Sequence, residues 1–485
     1  MAKRARSYRF EMPYQVDAPV LTDETVGIDR VLLRGQHDCR TATQTLLDTP
    51  DERLGWAGVL LAHQVAGETG HWLLRAPSWE PWLPAERIEP LDEDDEVPDD
   101  IAELLRPFRR RAALGPVAGI TVEQAAYGLL DADGEELGQV IDDRITARRG
   151  GLAIARNREV TFEPGPVMTA AQRTLVVQRL TEAGGARVPA FPEPADRLAG
   201  LMRPQDVPDE LPEPGSISLE DFLAWLFATR LRRVIRADLR VRAGQVADTT
   251  IVLAELGELA DVIRGVEPHV DVTWAREIGW RLDRLARLSA EPRPDALGDL
   301  YYDVLDALAT GARAPRLRTT TPDDEGRDGS APSARDVLRA DAVVQVTRLA
   351  RALDALTESS PEAEWIAAKG LADQLVCVLS AGEAVLGKMN RRARKTGRLV
   401  RSLEASLNQV AQPDDQDLAS WTPQEAYEAG RTYQRGLDEV IGERARLIQV
   451  WAGSRSAFLE TWPEAQERIL AVGPGTTDAQ VGEDA

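Results

Sequence analysis

Residues 203–216 read RPQDVPDELPEPGS, and the hydrophobic pattern of this 485-residue chain has a different period on either side of them. A segment so rich in proline and acid does not continue a helix or a central strand, so each flank must close a core of its own. Before it, short apolar runs at 31–33, 58–61, 72–74 and 160–162 are separated by Gly, Pro and Asp clusters at strand spacing. The tetrad 131–134, Asp-Ala-Asp-Gly, reads as a hairpin turn, because Asp-Gly tolerates the positive φ that tight hairpins need. The run 92–100 holds seven carboxylates in nine residues and reads as a solvated loop before a helix over 100–111.

Beyond the divide the period becomes helical. Ser218 is placed to cap a helix with Asp221 at the capping-box position, and Leu219, Phe222, Leu223 and Leu226 follow at i, i+3, i+4 and i+7. Val252, Leu256, Leu259 and Ile263 repeat the stripe, as do Ile278, Leu282 and Leu285. Trp225, Trp274, Trp280, Trp365 and Trp451 fall at helical spacing and are expected in the bundle core. Residues 319–333, TTTPDDEGRDGSAPS, are expected to be a flexible strap between two helical halves, and the tail after 472 to be unstructured.

The expected organisation is α+β and multidomain. It comprises a β-rich domain over 1–203, a linker over 204–217, and an all-α domain over 218–472 with bundles at 218–313 and 334–472 joined by 314–333, then a tail over 473–485. A net charge of −22 works against nucleic acid and acidic membranes, so no DNA or membrane partner is expected, and a polyanion would need a local basic groove. No run of about 18 apolar residues occurs. The two cysteines, Cys39 and Cys377, indicate no disulfide framework, which fits a cytoplasmic location. The four histidines show no metal-ligand spacing.

Residues 47–64, LDTPDERLGWAGVLLAHQ, resemble the strand–turn–strand segment of CYTH domains, which reads yDTPdlrLaraGvtLRxR. The likeness continues through HWLLRAP at 71–77, AERIEPL at 85–91, LGPVAGI at 114–120, the stretch 130–147 with Asp142 and Asp143, NREVTFE at 157–163 and ADRLAGLM at 195–202. The family fold is an antiparallel β-barrel, a tunnel that grips triphosphate. The helical part resembles CHAD domains, which are associated with inorganic polyphosphate. That likeness runs through 277–297, EAEWIAAKGLADQLV at 362–376 and EAYEAGRTYQRG at 425–436.

What the resemblance implies for chemistry is mixed. Arg9, Arg75, Arg87 and Arg197 stand at basic positions of the family pattern and are candidate phosphate ligands. Leu61, Ala62, His63 and Gln64 stand where the closing arginines of the tunnel segment belong. SYRFEM at 7–12 puts Ala5 and Ser7 at the two glutamates of the metal-binding strand, with Arg9 at its lysine. Asp142, Glu159 and Glu163 remain as candidate ligands for Mg²⁺ or Mn²⁺, beside Asp143, with Thr161 replacing the middle carboxylate. In the helical part, 247–259 lacks the family's cations and adds Glu255 and Glu258, Glu362 and Trp365 replace a histidine and an arginine, and Lys369 persists.

Independently of any family, 388–401 holds seven cations and no acid, and Arg391, Arg394 or Lys395, Arg398 and Arg401 share a helical face. This is a candidate patch for an anion or a protein partner. The reading that follows is a CYTH–CHAD-like, non-catalytic or weakly active binding or scaffold protein linked to inorganic polyphosphate or triphosphate. Two alternatives stand beside it: a Mg²⁺- or Mn²⁺-dependent triphosphatase, and an adaptor that binds protein partners through its helices.

Overall fold

The computed structural model describes residues 7–34, 40–67, 69–91, 96–202, 210–318, 333–387, 390–407 and 421–471, with the backbone alone described over 390–397. Residues 204–209 of the linker, the 319–332 strap, the tail, Ala5, His37, Cys39 and Lys388 lie outside the described residues. Two compact units are formed, Met1–Asp206 and Val207–Ala485. The architecture is α+β: an antiparallel sheet unit followed by a helical one.

The first unit runs β1 (Tyr8–Met12), β2 (Arg30–Leu33), β3 (Arg40–Asp48), α1 (Arg53–Trp56), β4 (Leu60–Ala66), β5 (Thr69–Arg75), β6 (Glu86–Pro90), α2 (Asp99–Arg109), β7 (Gly115–Leu130), β8 (Glu136–Arg149), β9 (Leu152–Pro164), α3 (Ala170–Glu182), β10 (Ala186–Val188) and α4 (Pro194–Ala199). The strand order is β10-β1-β9-β8-β7-β3-β4-β5-β6, with β2 sharing the β7 edge that β3 uses further along. The β7–β8 hairpin turns at Asp131–Gly134, where Gly134 takes φ +85°.

Side-chain alternation divides this sheet into two faces. Phe10, Met12, Val140, Val160 and Phe162 pack with Val176 and Leu180 of α3 on one face. On the other, Leu46, Leu60, Ala62, Leu73, Ala118, Ile120, Ile145 and Ala147 pack around Leu198 of α4. Two adjacent residues of α4 then fix the curvature. Arg197 bonds Glu159 of β9, and Asp196 bonds Arg75 of β5. Those strands are five strand intervals apart, which in a flat sheet would be about 24 Å. The sheet therefore curls around α4, whose face is the inner one.

The segment 47–58 explains itself as a local device. The Asp48 carboxylate accepts from the backbone N–H groups of Thr49 (2.6 Å), Leu54 (2.9 Å) and Gly55 (2.8 Å), which anchors the single turn α1. Gly58 closes the turn at φ +70°. Burial pushes the Asp48 carboxyl up, while those three N–H donors hold it back.

The second unit comprises α5 (Leu219–Arg242), α6 (Thr250–Val266), α7 (Val272–Leu285), α8 (Asp299–Arg313), α9 (Ala334–Ala355), α10 (Glu362–Ala381), α11 (Glu383–Leu386), α12 (Asn390–Ala405), the long helix Pro423–Leu459 and the short helix Pro463–Ala471. Ser218 caps α5, its hydroxyl accepting from the Asp221 N–H at 3.1 Å. The apolar stripes of α5, α6 and α7 are buried apart from the half-buried Leu219; Trp365 and Trp451 are buried and Trp225 and Trp274 half-buried. Trp280 corrects the expectation for the tryptophans: it is 57% exposed. It lies two residues from the buried Ile278, about 200° around the helix. Helices before and after the strap pack directly, α6 on α10, where Gly265 sits against the Cys377 backbone. Among the described residues no helix is long and apolar enough to cross a membrane.

Candidate functional site

The inner face of the curled sheet carries charge along one wall. Register places Glu11 of β1 opposite Glu159 of β9, and Glu159 opposite Asp143 of β8. Arg197 reaches from α4 and grips both Glu159 oxygens at 2.7 Å, while also donating to the Pro192 carbonyl. Both side chains are largely buried, 16% and 7% exposed, so the pair is screened little by solvent. Gln124 donates to Asp143 at 2.9 Å, and Gln139 to Glu163 at 2.6 Å. Arg9 donates to the Pro189 carbonyl at 3.2 Å. On the opposite wall, Arg75 bonds Asp196 at 2.7 Å.

Two candidates lie on the outer face instead. Arg87 alternates outward with Glu89 and pairs with it and with Asp100 of α2. Asp142 also faces outward, where Arg158 holds both of its oxygens, at 2.9 and 2.6 Å, in a nearly solvent-free pair. Asp142 is thus separated by the sheet from Glu159 and Glu163, and those two are about 13 Å apart along β9. A hard dication needs several oxygens converging within about 2.0–2.6 Å, and this donor set does not converge. Among the described residues no three His, Cys, Asp or Glu side chains are placed to hold a metal ion.

Asp143 is an inner-face carboxyl whose hydrogen bond comes from the neutral Gln124 amide, with the Arg197 charge acting on it only from a distance. Burial pushes it above the ordinary carboxylate range, the Gln124 hydrogen bond pulls it back, and the charges of Glu159 and Asp142 push it further up. Such a group binds its proton more tightly when folded. Its stabilising contribution is present below the unfolded value and is lost as pH rises through the raised folded value. Asp143→Asn keeps an acceptor for Gln124 and removes the charge. The variant is expected to melt above wild type at pH 7, with the gap closing toward about pH 3. Thermal melts across that range check this, and a gap independent of pH would contradict it.

Between these charges the inner face is mostly apolar, with Gln44 of β3 and Gln64 of β4 opposite one another as its polar exceptions. Of the four residues 61–64, Ala62 and Gln64 alternate inward and Leu61 and His63 outward, where His63 lies against Trp72 with ring centroids 5.5 Å apart. Leu198 of α4 fills the space between the walls, with Leu201 and Met202 packed behind it.

In the helical unit Glu255, Glu258 and Glu362 are each answered by an arginine. Arg230 of α5 bonds Glu258 at 3.0 Å, and Arg233 bonds Glu255 and Glu258 of α6 at 3.0 and 2.9 Å. Glu362 is bonded by Arg444 of the long helix, whose guanidinium lies 5.0 Å over the Trp365 ring and also donates to the Ser406 carbonyl. Lys369 bonds Asp373 one turn on, at 2.7 Å. Arg391, Arg394 and Lys395 lie on α12, with side chains outside the described residues, and Arg398 is exposed beside a cavity. Sequence reading missed Arg158, Arg230, Arg233 and Arg444. The one available signal was the matched i, i+3 spacing of Arg230 and Arg233 with Glu255 and Glu258.

No protein-family model matches the chain. Two uncharacterized proteins of Mycobacterium tuberculosis, Rv2226 and MT2285, are each 24% identical over 378 residues, covering 73% of this chain and 70% of theirs. Among solved structures, a candidate adenylate cyclase from Bacillus halodurans is 16% identical, covering 36% of this chain and 96% of its own, at a TM-score of 0.20. A candidate adenylyl cyclase from Hippeastrum, described as having a dominant triphosphatase activity, is 12% identical over 41% of this chain and 96% of its own, also at 0.20. Likenesses at that score bear no weight for this chain.

Proposed function

We propose that the chain is a binding or scaffold protein built on a CYTH-like tunnel and a CHAD-like helical unit, with triphosphatase activity absent or much reduced, serving polyphosphate- or phosphate-related physiology. The observation that supports this most is the Arg197–Glu159 pair. A cation of the inner face that phosphate would need is held by both oxygens of a carboxylate that a metal would need. Arg75 is answered in the same way by Asp196. A triphosphate would have to displace these partners and the apolar side chains around Leu198. Catalysis of phosphoryl transfer rests on free cations and metal ions that neutralise developing charge.

The test is phosphate release from tripolyphosphate with Mn²⁺ or Mg²⁺. The expected result is release no faster than from a heat-denatured control. Metal-dependent turnover that Glu159→Ala abolishes would overturn the reading in favour of a triphosphatase. Retention of polyphosphate in a gel shift, lost when Arg391, Arg394, Lys395 and Arg398 become Ala, is the expected signature of the binding role.

A further inference from the structure

The long helix Pro423–Leu459 and α12 line a half-open cavity of about 320 Å³. Its walls are mainly apolar, Leu399 from α12 and Leu447, Val450, Trp451 and Phe458 from the long helix, with Ser402 and Ser454 among them. The aromatic wall is fixed in place. Trp451 donates its indole N–H to Asp354 at 2.9 Å, Arg455 clamps the same carboxylate at 2.7 Å, and Phe458 meets the Trp451 ring edge-on at 5.5 Å. A ring held in this way does not swing inward to fill the space, so the cavity is preformed. Its volume lies at the lower end of the range of about 300–1,000 Å³ that small-molecule sites occupy.

The polar rim is unbalanced. Glu443 is neutralised by Arg446 at 2.6 Å. Arg398, on the other side, is exposed and pairs with no acceptor among the described residues. It belongs to the run 388–401, which holds seven cations and no acid. An apolar chamber with an unanswered guanidinium at its rim is complementary to one chemistry. We propose that this cavity binds a small amphipathic monocarboxylate, its aliphatic or aromatic body against Trp451 and Phe458 and its carboxylate on Arg398. The site is in the helical unit and shares Arg398 with the basic run whose loss the polyphosphate gel shift reads.

Fluorescence titration with 1-anilinonaphthalene-8-sulfonate, displaced by decanoate, tests the site in the full chain. One saturable site per chain is expected, emptied by decanoate and not by decyltrimethylammonium. Arg398→Glu, an exposed substitution, is expected to weaken decanoate about tenfold, since it turns an attraction into a repulsion. Ala457→Trp, which projects an indole into the chamber from an exposed position, should abolish binding. Circular dichroism melts establish that each variant is folded, and Arg398→Glu decides alone if Ala457→Trp is not. Non-saturable dye binding, dye that decanoate does not displace, or decanoate affinity unchanged by Arg398→Glu would overturn the proposal; so would a chamber already filled by the chain itself, seen as no binding at all.

Discussion

Gly265→Ala should lower the stability of the helical unit by about 3 kcal/mol, the high end for overpacking by one methyl. A Cβ at this position would stand 2.3 Å from the Cys377 carbonyl oxygen, 2.6 Å from its carbonyl carbon and 3.0 Å from the Ala381 Cβ. Two of those atoms are backbone of α10 and have no rotamer by which to yield. The contact joins α6, which precedes the strap, to α10, which follows it, so relief requires moving one helix off the other. Gly257→Ala, on an exposed turn of the same helix, is the control. Nothing lies within 4 Å of its Cβ, and helix propensity alone predicts a gain of about 0.5–1 kcal/mol. Urea unfolding of both variants measures the contrast. A second readout is the Cys377 thiol, which burial pushes up to about 11 and keeps unreactive. In Gly265→Ala it should react faster with a disulfide reagent. If both glycine variants shift stability in the same direction, the close-approach account fails.

The difference between Gly265 and Gly257 was not legible in the sequence, where each is one glycine within a helical stripe. What sequence conveys well is period. The stripes of α5, α6 and α7 and the hairpin at Asp131–Gly134 follow from spacing and turn chemistry alone. What it does not convey is the face on which a strand residue lies once register is set across several strands. Asp142 and Asp143 are neighbours in the chain, yet one joins Arg158 on the outside and the other faces Glu159 within. The long strands were largely invisible to that signal: β9 spans 13 residues where the apolar run at 160–162 marked three, and β7 and β8, of 16 and 14 residues, carried no marked run at all. Their polar inner-face residues interrupt the hydrophobic signal without ending the strand. The Arg197–Glu159 pair, 38 residues apart in sequence, exists because the sheet curls, and no local pattern announces curvature.

The other large effect is expected at Arg242, where removing the guanidinium should cost about 3–5 kcal/mol. Asp238 is fully buried on α5, bonded by the Arg242 Nε one turn on and by the Tyr301 hydroxyl of α8 at 2.6 Å. Arg242 also bonds Asp295 at 2.6 Å, and the Tyr302 hydroxyl donates to that same carboxylate. The cluster thus ties α5 to α8 through Asp238 and Arg242, charges with almost no access to water, while Asp295 at its edge is 36% exposed. Burial already lifts the Asp238 carboxyl above its ordinary range, against the pull of Arg242 and Tyr301. Arg242→Met leaves that carboxyl without its cation, so its folded-state proton affinity rises further while its unfolded value stays the same. A raised carboxyl contributes stability below the unfolded value that is lost as pH rises through the folded one. The loss in Arg242→Met should therefore be small near pH 4 and grow toward pH 8. The double variant Asp238→Leu/Arg242→Met removes both charges and should recover most of the loss, because the cost lies in the stranded ion more than in the absent bond. Equilibrium unfolding of the single and double variants at both pH values decides between the two. A double variant no more stable than the single one would mean that the charged cluster itself, and not its neutrality, holds α5 and α8 together.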